Sequence, residues 1–159
     1  MSKNSLTFCV FGAGRIGKLH ARNVATHPQA RLKYVVDPVA KSAADLARQL
    51  GARAAPDAAT ALADPEVDAV IIASSTNTHV DLITASAKAG KAVLCEKPVD
   101  LDIKRVNTCL AGLKKHRVPL AIGFNRRFDP TNRALKAGID AGEVGKVELV
   151  VITSRDPAP

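Results

Sequence analysis

Four short stretches of this chain carry groups able to do chemistry, and the first is Gly12-Ala13-Gly14-Arg15-Ile16-Gly17. It follows an apolar run at 6–11 and opens a helix-like stretch that ends near residue 26. Strand, glycine turn and helix in that order bind a dinucleotide pyrophosphate, because free N–H groups and the helix dipole meet the phosphate charge. Each glycine has its own duty: Gly12 permits the tight turn, Gly14 lets the backbone approach the phosphates, and Gly17 lets the helix pack closely on the strand. Ala13, Arg15 and Ile16 complete the cradle. Asp37 stands 20 residues beyond Gly17, at the end of a second apolar run at 32–36, where an acid accepts both ribose hydroxyls. Its carboxylate takes the place that the 2′-phosphate of NADP would need, so NAD is the expected cofactor. The bland alternative is an ordinary glycine turn followed by an Asp-Pro loop.

The second stretch, Glu96-Lys97-Pro98, follows an apolar run at 91–95. Pro98 restricts the backbone and holds Lys97 at the rim. An ammonium there polarises a carbonyl or alkoxide during hydride transfer and takes a share in proton transfer; otherwise Glu96 and Lys97 are a solvated pair. The third, Ser74-Ser75-Thr76-Asn77-Thr78-His79, offers hydroxyls, an amide and an imidazole where the nicotinamide half of a dinucleotide would lie. Its alternative is helix capping by Thr76 or Asn77. Asn125-Arg126-Arg127-Phe128-Asp129 adds guanidiniums suited to substrate hydroxyls, a cofactor phosphate or a carboxylate, or else to a surface Arg-Asp pair.

The elements that must position these groups alternate. Strands are expected at 6–11, 32–36, 52–54, 67–73, 91–95, 119–124 and 145–153, with helices at 15–26, 39–50, 57–63, 76–89, 102–116 and 129–141. Residues 67–73 form a β-branched and apolar run broken only by Asp68, as expected of a central parallel strand buried on both faces. Alternation of this kind argues for an α/β fold, a doubly wound parallel (Rossmann) sheet with ligands at the strand carboxyl ends.

At 159 residues, 47% of them hydrophobic, the chain suits one globular domain with a continuous core. No stretch reads as a signal peptide or membrane span, so a soluble cytoplasmic protein without a membrane partner is expected. Three cysteines without metal-ligand spacing point to reduced, buried thiols and to no metal site. The net charge of +8 is spread along the chain with no Trp and one Tyr, which argues against nucleic acid as a partner.

Together, Gly12-Ala13-Gly14-Arg15-Ile16-Gly17, Asp37, Ser75-Thr76-Asn77-Thr78-His79, Glu96-Lys97-Pro98 and Gly123-Phe124-Asn125-Arg126-Arg127-Phe128-Asp129-Pro130 resemble the glucose-fructose oxidoreductase, inositol dehydrogenase and rhizopine-catabolism (Gfo/Idh/MocA) family. The likeness covers nearly the whole chain and is strongest to the inositol 2-dehydrogenases. It implies NAD-dependent oxidation of a ring hydroxyl on a cyclitol or sugar, with Lys97 as the catalytic lysine and Asp37 as the ribose ligand. The cofactor contacts it implies are Gly12, Ala13, Gly14, Arg15, Ile16, Asp37, Ser74, Ser75, Thr76, Asn77, His79, Glu96, Lys97, Asn125 and Arg126. It further implies that residues 1–144 are the NAD-binding domain and that 145–159 begin a C-terminal α+β substrate domain absent from this chain. On that reading the chain alone is inactive. The strand at 147–153, lacking its partners, is then disordered, folded back or self-associated with another copy. The alternative is a non-catalytic NAD-binding module or redox sensor.

Overall fold

A computed structural model of the protein describes residues 5–155. Six strands form one sheet in the order β3-β2-β1-β4-β5-β6, with every neighbouring pair parallel. They are β1 (Leu6–Phe11), β2 (Ala30–Val36), β3 (Arg53–Ala54), β4 (Ala69–Ile72), β5 (Ala92–Cys95) and β6 (Leu120–Ile122). Parallel neighbours require crossovers, and five helices supply them: α1 (Arg15–Thr26), α2 (Ala40–Gln49), α3 (Ala58–Ala63), α4 (His79–Lys88) and α5 (Ile103–Leu113). The strand order reverses between β1 and β4, the switch point outside which ligands bind in such sheets.

The period of two along the strands sorts the core into two layers. Val10, Val35 and Ile71 face Ala21, Val24, Ala43 and Leu46 of α1 and α2. Cys9, Phe11, Val70, Ile72 and Val93 face Ile83 of α4 and Cys109 of α5 on the other side. All four residues of β4 are buried, as the expectation of a central strand covered on both faces requires. The three cysteines are buried and free. Burial pushes the Cys9 thiol far up, and burial with the neighbouring Glu96 carboxylate pushes Cys95 up to about 12, so both act as small hydrophobes and not as nucleophiles.

Local sequence explains several boundaries. Asp57 and Asp102 start α3 and α5 by accepting the N–H groups of Thr60 and Lys104, the usual duty of an N-cap acid. Among the described residues, no helix is long and apolar enough to cross a membrane.

The chain divides into two compact units, with the break after Gly123; the boundary expected at 144 lies inside the second. That unit contains a 3₁₀ turn (Asn125–Arg127) and α6 (Pro130–Asp140). Asp129 caps α6 through the Asn132 N–H, and Pro130 occupies the first turn, where a missing N–H costs nothing. The strand expected at 147–153 does not form: among the described residues no segment pairs with it. A strand exists only when a neighbour takes up its N–H and C=O groups, and apolar content alone does not provide one. Leu149, Val151 and Ile152 are 81%, 78% and 82% exposed.

Candidate functional site

The site grows from the end of β1. Gly12 has φ +103°, and a Cβ there would lie 2.5 Å from the Ala73 carbonyl oxygen and 2.8 Å from the Ser74 nitrogen. Only glycine lets the loop after β1 lie against the loop after β4. A Cβ on Gly17 would stand 1.9 Å from the Gly12 carbonyl oxygen, so α1 can pack on the turn only without one. Gly14 is different, with nothing within 4 Å of where its Cβ would be. Helix α1 starts on Gly14 with no side-chain cap and no acid in its first turn. Its first N–H groups, including those of Arg15 and Ile16, therefore keep their capacity for an anion. This open cradle fits a pyrophosphate.

Asp37, directly after β2, is oriented by the backbone on both sides. Its Oδ2 accepts the Ala13 N–H at 2.7 Å and its Oδ1 accepts the Val39 N–H at 2.8 Å. A carboxylate has about four lone-pair sites, so each oxygen keeps capacity for a ribose hydroxyl. The Ala13 N–H is thus used to tie the glycine loop to Asp37.

Beyond β4, the Ser74 and Thr78 hydroxyls lie 2.7 Å apart, and the Thr78 hydroxyl donates to the Ser75 carbonyl at 2.7 Å. A 3₁₀ turn (Thr76–Thr78) leads into α4, and neither element has a side-chain cap, so Thr76 and Asn77 do not serve as caps. His79, expected as a cofactor contact, is 1% exposed. Its Nδ1 lies 2.8 Å from the Pro98 carbonyl oxygen and its Nε2 lies 3.0 Å from that of Ser74. The ring links the loops after β4 and β5 and faces no solvent.

Glu96 extends the sheet by donating its N–H to the Ile72 carbonyl at 2.9 Å. Its Oε1 lies 2.8 Å from His20 Nε2, on α1. The same carboxylate fills the space beside Gly123, where a Cβ would meet Oε1 at 2.9 Å. Glu96 is therefore tied to α1 and is not paired with Lys97 as the bland reading would have it. Lys97 is exposed, and its peptide bond to Pro98 is cis.

Contacts thus join Asp37, the glycine loop, Ser74, His79, the Glu96-Lys97-Pro98 turn and His20 at the carboxyl edge of the first unit. Asn125 and Arg126 belong to the second unit, where both are exposed. Nearby, Asp129 is held below the usual carboxylate range by the Asn132 N–H, with Arg126 adding a smaller effect. His20 escaped sequence reasoning. Its one signal is that it lies three residues after Gly17, hence on the face of α1 that packs toward the loop. Among the described residues no cluster of His, Cys, Asp and Glu could hold a metal ion.

Comparison with known proteins agrees with this fold. Residues 6–124 match the GFO_IDH_MocA family, described as an oxidoreductase family with an NAD-binding Rossmann fold. The chain is 47% identical over 155 residues to the inositol 2-dehydrogenase of Rhizobium meliloti (strain 1021), covering 97% of this chain and 46% of that protein. It is 43% identical over 151 residues to the myo-inositol 2-dehydrogenase of Thermotoga maritima, covering 94% and 45%. Among solved structures it is similar to scyllo-inositol dehydrogenase from Lactobacillus casei with bound NAD(H) and scyllo-inositol. There the TM-score is 0.84 at 31% identity, covering 89% of this chain and 42% of that one. The chain therefore spans about half the length of the curated relatives it matches.

Proposed function

The chain belongs to the Gfo/Idh/MocA family of NAD-binding oxidoreductases, and from that premise we propose that it is the cofactor half of a dehydrogenase that oxidises a ring hydroxyl of a cyclitol, of the myo-inositol 2-dehydrogenase type. The observation that carries this reading is the exposed Lys97 on a turn joined through His79 and Ser74 to the glycine loop. One edge of the sheet thus offers both a phosphate cradle and an ammonium.

NAD, when bound, supplies the hydride acceptor. The N–H groups at the start of α1 would hold its pyrophosphate, Asp37 would accept hydrogen bonds from its ribose hydroxyls, and Ser75, Thr76 and Asn77 would line its nicotinamide half. As the carbinol C–H bond breaks, the substrate oxygen gains negative charge, and the Lys97 ammonium stabilises that charge. Substrate positioning and proton removal are assigned to the half of the relatives' length that this chain does not span. A non-catalytic NAD-binding module would share the same cradle, and only turnover separates the two.

The test joins this chain to the C-terminal half of the Rhizobium meliloti relative and offers myo-inositol and scyllo-inositol with NAD. Inositol-dependent NADH formation is expected, with Lys97→Met lowering kcat by a factor of about 10²–10⁴. The 159-residue chain alone is expected to show negligible turnover. A folded, NAD-binding fusion that stays silent with cyclitols would overturn the reading.

A further inference from the structure

We propose that His20 and His79 clamp the Glu96-Lys97-Pro98 turn from both sides and so act as positioning residues for Lys97. The inference rests on the reading above only in taking Lys97 as the reacting cation. A lysine has a flexible four-carbon stem, so a fold controls its ammonium chiefly by fixing the backbone at its base. Here the residue on each side of Lys97 is held by an imidazole from a different helix. Before it, the Glu96 carboxylate lies 2.8 Å from His20 Nε2; after it, the Pro98 carbonyl lies 2.8 Å from His79 Nδ1.

The two histidines also connect this turn to the cofactor cradle. His20 sits on the helix whose uncapped first N–H groups are free for an anion, and its side chain is 20% exposed. His79 reaches with its second nitrogen to the Ser74 carbonyl, and Ser74 follows the residue that Gly12 lies against. Burying a polar ring as completely as His79 is costly unless its nitrogens find partners. Both nitrogens lie against carbonyl oxygens of loops at the reacting edge, and since a carbonyl only accepts, a neutral ring donates to one of them at a time. Changes in the seating of α1 or of the Ser74 loop therefore reach Lys97 through one imidazole each.

Amide side chains can separate the tethers, since the asparagine amide nitrogen reaches about where Nδ1 lies and the glutamine nitrogen about where Nε2 lies. His79→Asn keeps the bond to Pro98, and His79→Gln keeps only the bond to Ser74. His20→Gln keeps donation to Glu96, and His20→Leu abolishes it. Hydrogen–deuterium exchange of the Glu96, Lys97 and Val99 amides is measured in the full chain, with melting temperatures recorded alongside. Exchange is expected to rise about five-fold in His79→Gln and His20→Leu, the shift that loss of one ordinary hydrogen bond permits, and to stay near wild type in His79→Asn and His20→Gln. Equal exchange in the two members of each pair would overturn the clamp. If the His79 variants fail to fold, the His20 pair decides alone. A parallel acetylation experiment on wild type checks the underlying functional reading: NAD should slow modification of Lys97 relative to the other lysines. No slowing there, with the exchange pattern intact, would sink the functional reading and leave the clamp standing.

Discussion

Replacing Gly14 with alanine should separate cofactor binding from folding, and Gly17→Ala should not. A methyl group on Gly14 meets nothing within 4 Å, and the residue already has φ −72° and ψ −170°, which alanine adopts freely. Alanine is a clearly poorer N-cap than glycine, but it also reduces the entropy of the unfolded chain, and the two effects offset to a net change within about 1 kcal/mol. In the proposed cradle the methyl group would stand where the pyrophosphate approaches the backbone. Loss of one charge-assisted hydrogen bond costs about 1.5–3 kcal/mol, which weakens NAD binding about ten- to a hundred-fold. On Gly17 the methyl would lie 1.9 Å from a backbone oxygen, against the 3.4 Å at which ordinary contact begins. Neither atom belongs to a movable side chain, so α1 must shift, at a cost of about 1–3 kcal/mol or more. Calorimetric titration with NAD and thermal melts of both variants are the assay. Gly14→Ala should lose affinity with a melting temperature within about 4 °C of wild type; Gly17→Ala should lose both, melting about 5 °C or more lower. Unchanged NAD affinity in Gly14→Ala would refute the assignment of the open cradle to the phosphates.

Two further outcomes concern stability and assembly. The Lys33 ammonium, the Glu66 N–H and the Tyr34 hydroxyl hold the Asp64 carboxyl down from 3.8 to about 2. A depressed carboxylate contributes stability above its unfolded value and loses that contribution as pH falls through the folded one. Urea midpoints should therefore fall between about pH 4 and about pH 2, and Lys33→Met should flatten that slope; an identical slope in both proteins would contradict the role given to Lys33. We also propose that the exposed apolar run at 147–153 drives self-association of this chain. Sedimentation equilibrium should show concentration-dependent association that Val151→Lys abolishes, and a monomer at every concentration would exclude it.

The alternation of apolar runs and helix signals made the doubly wound sheet readable, because parallel strands buried on both faces, such as β4, have no polar face to confuse the period. The duties of Gly12 and Gly17 were readable for the same local reason, since strand, turn and helix adjoin in sequence. Contacts between distant residues were not. Nothing in the order of residues joins His20 to Glu96, 76 positions apart, or turns His79 inward toward Pro98. These pairings exist only once α1, α4 and β5 have packed on one sheet. The run at 147–153 fails in the opposite sense, having strand composition but, among the described residues, no strand to pair with.

The most direct test of the central claim is a calorimetric titration of this chain with NAD and with NADP, at moderate salt, for wild type and Asp37→Ala. Saturable NAD binding, NADP at least about ten-fold weaker, and a variant in which NAD affinity falls and the preference narrows are predicted. Equal affinities for the two cofactors in wild type, or no change on removing the Asp37 carboxylate, would contradict it.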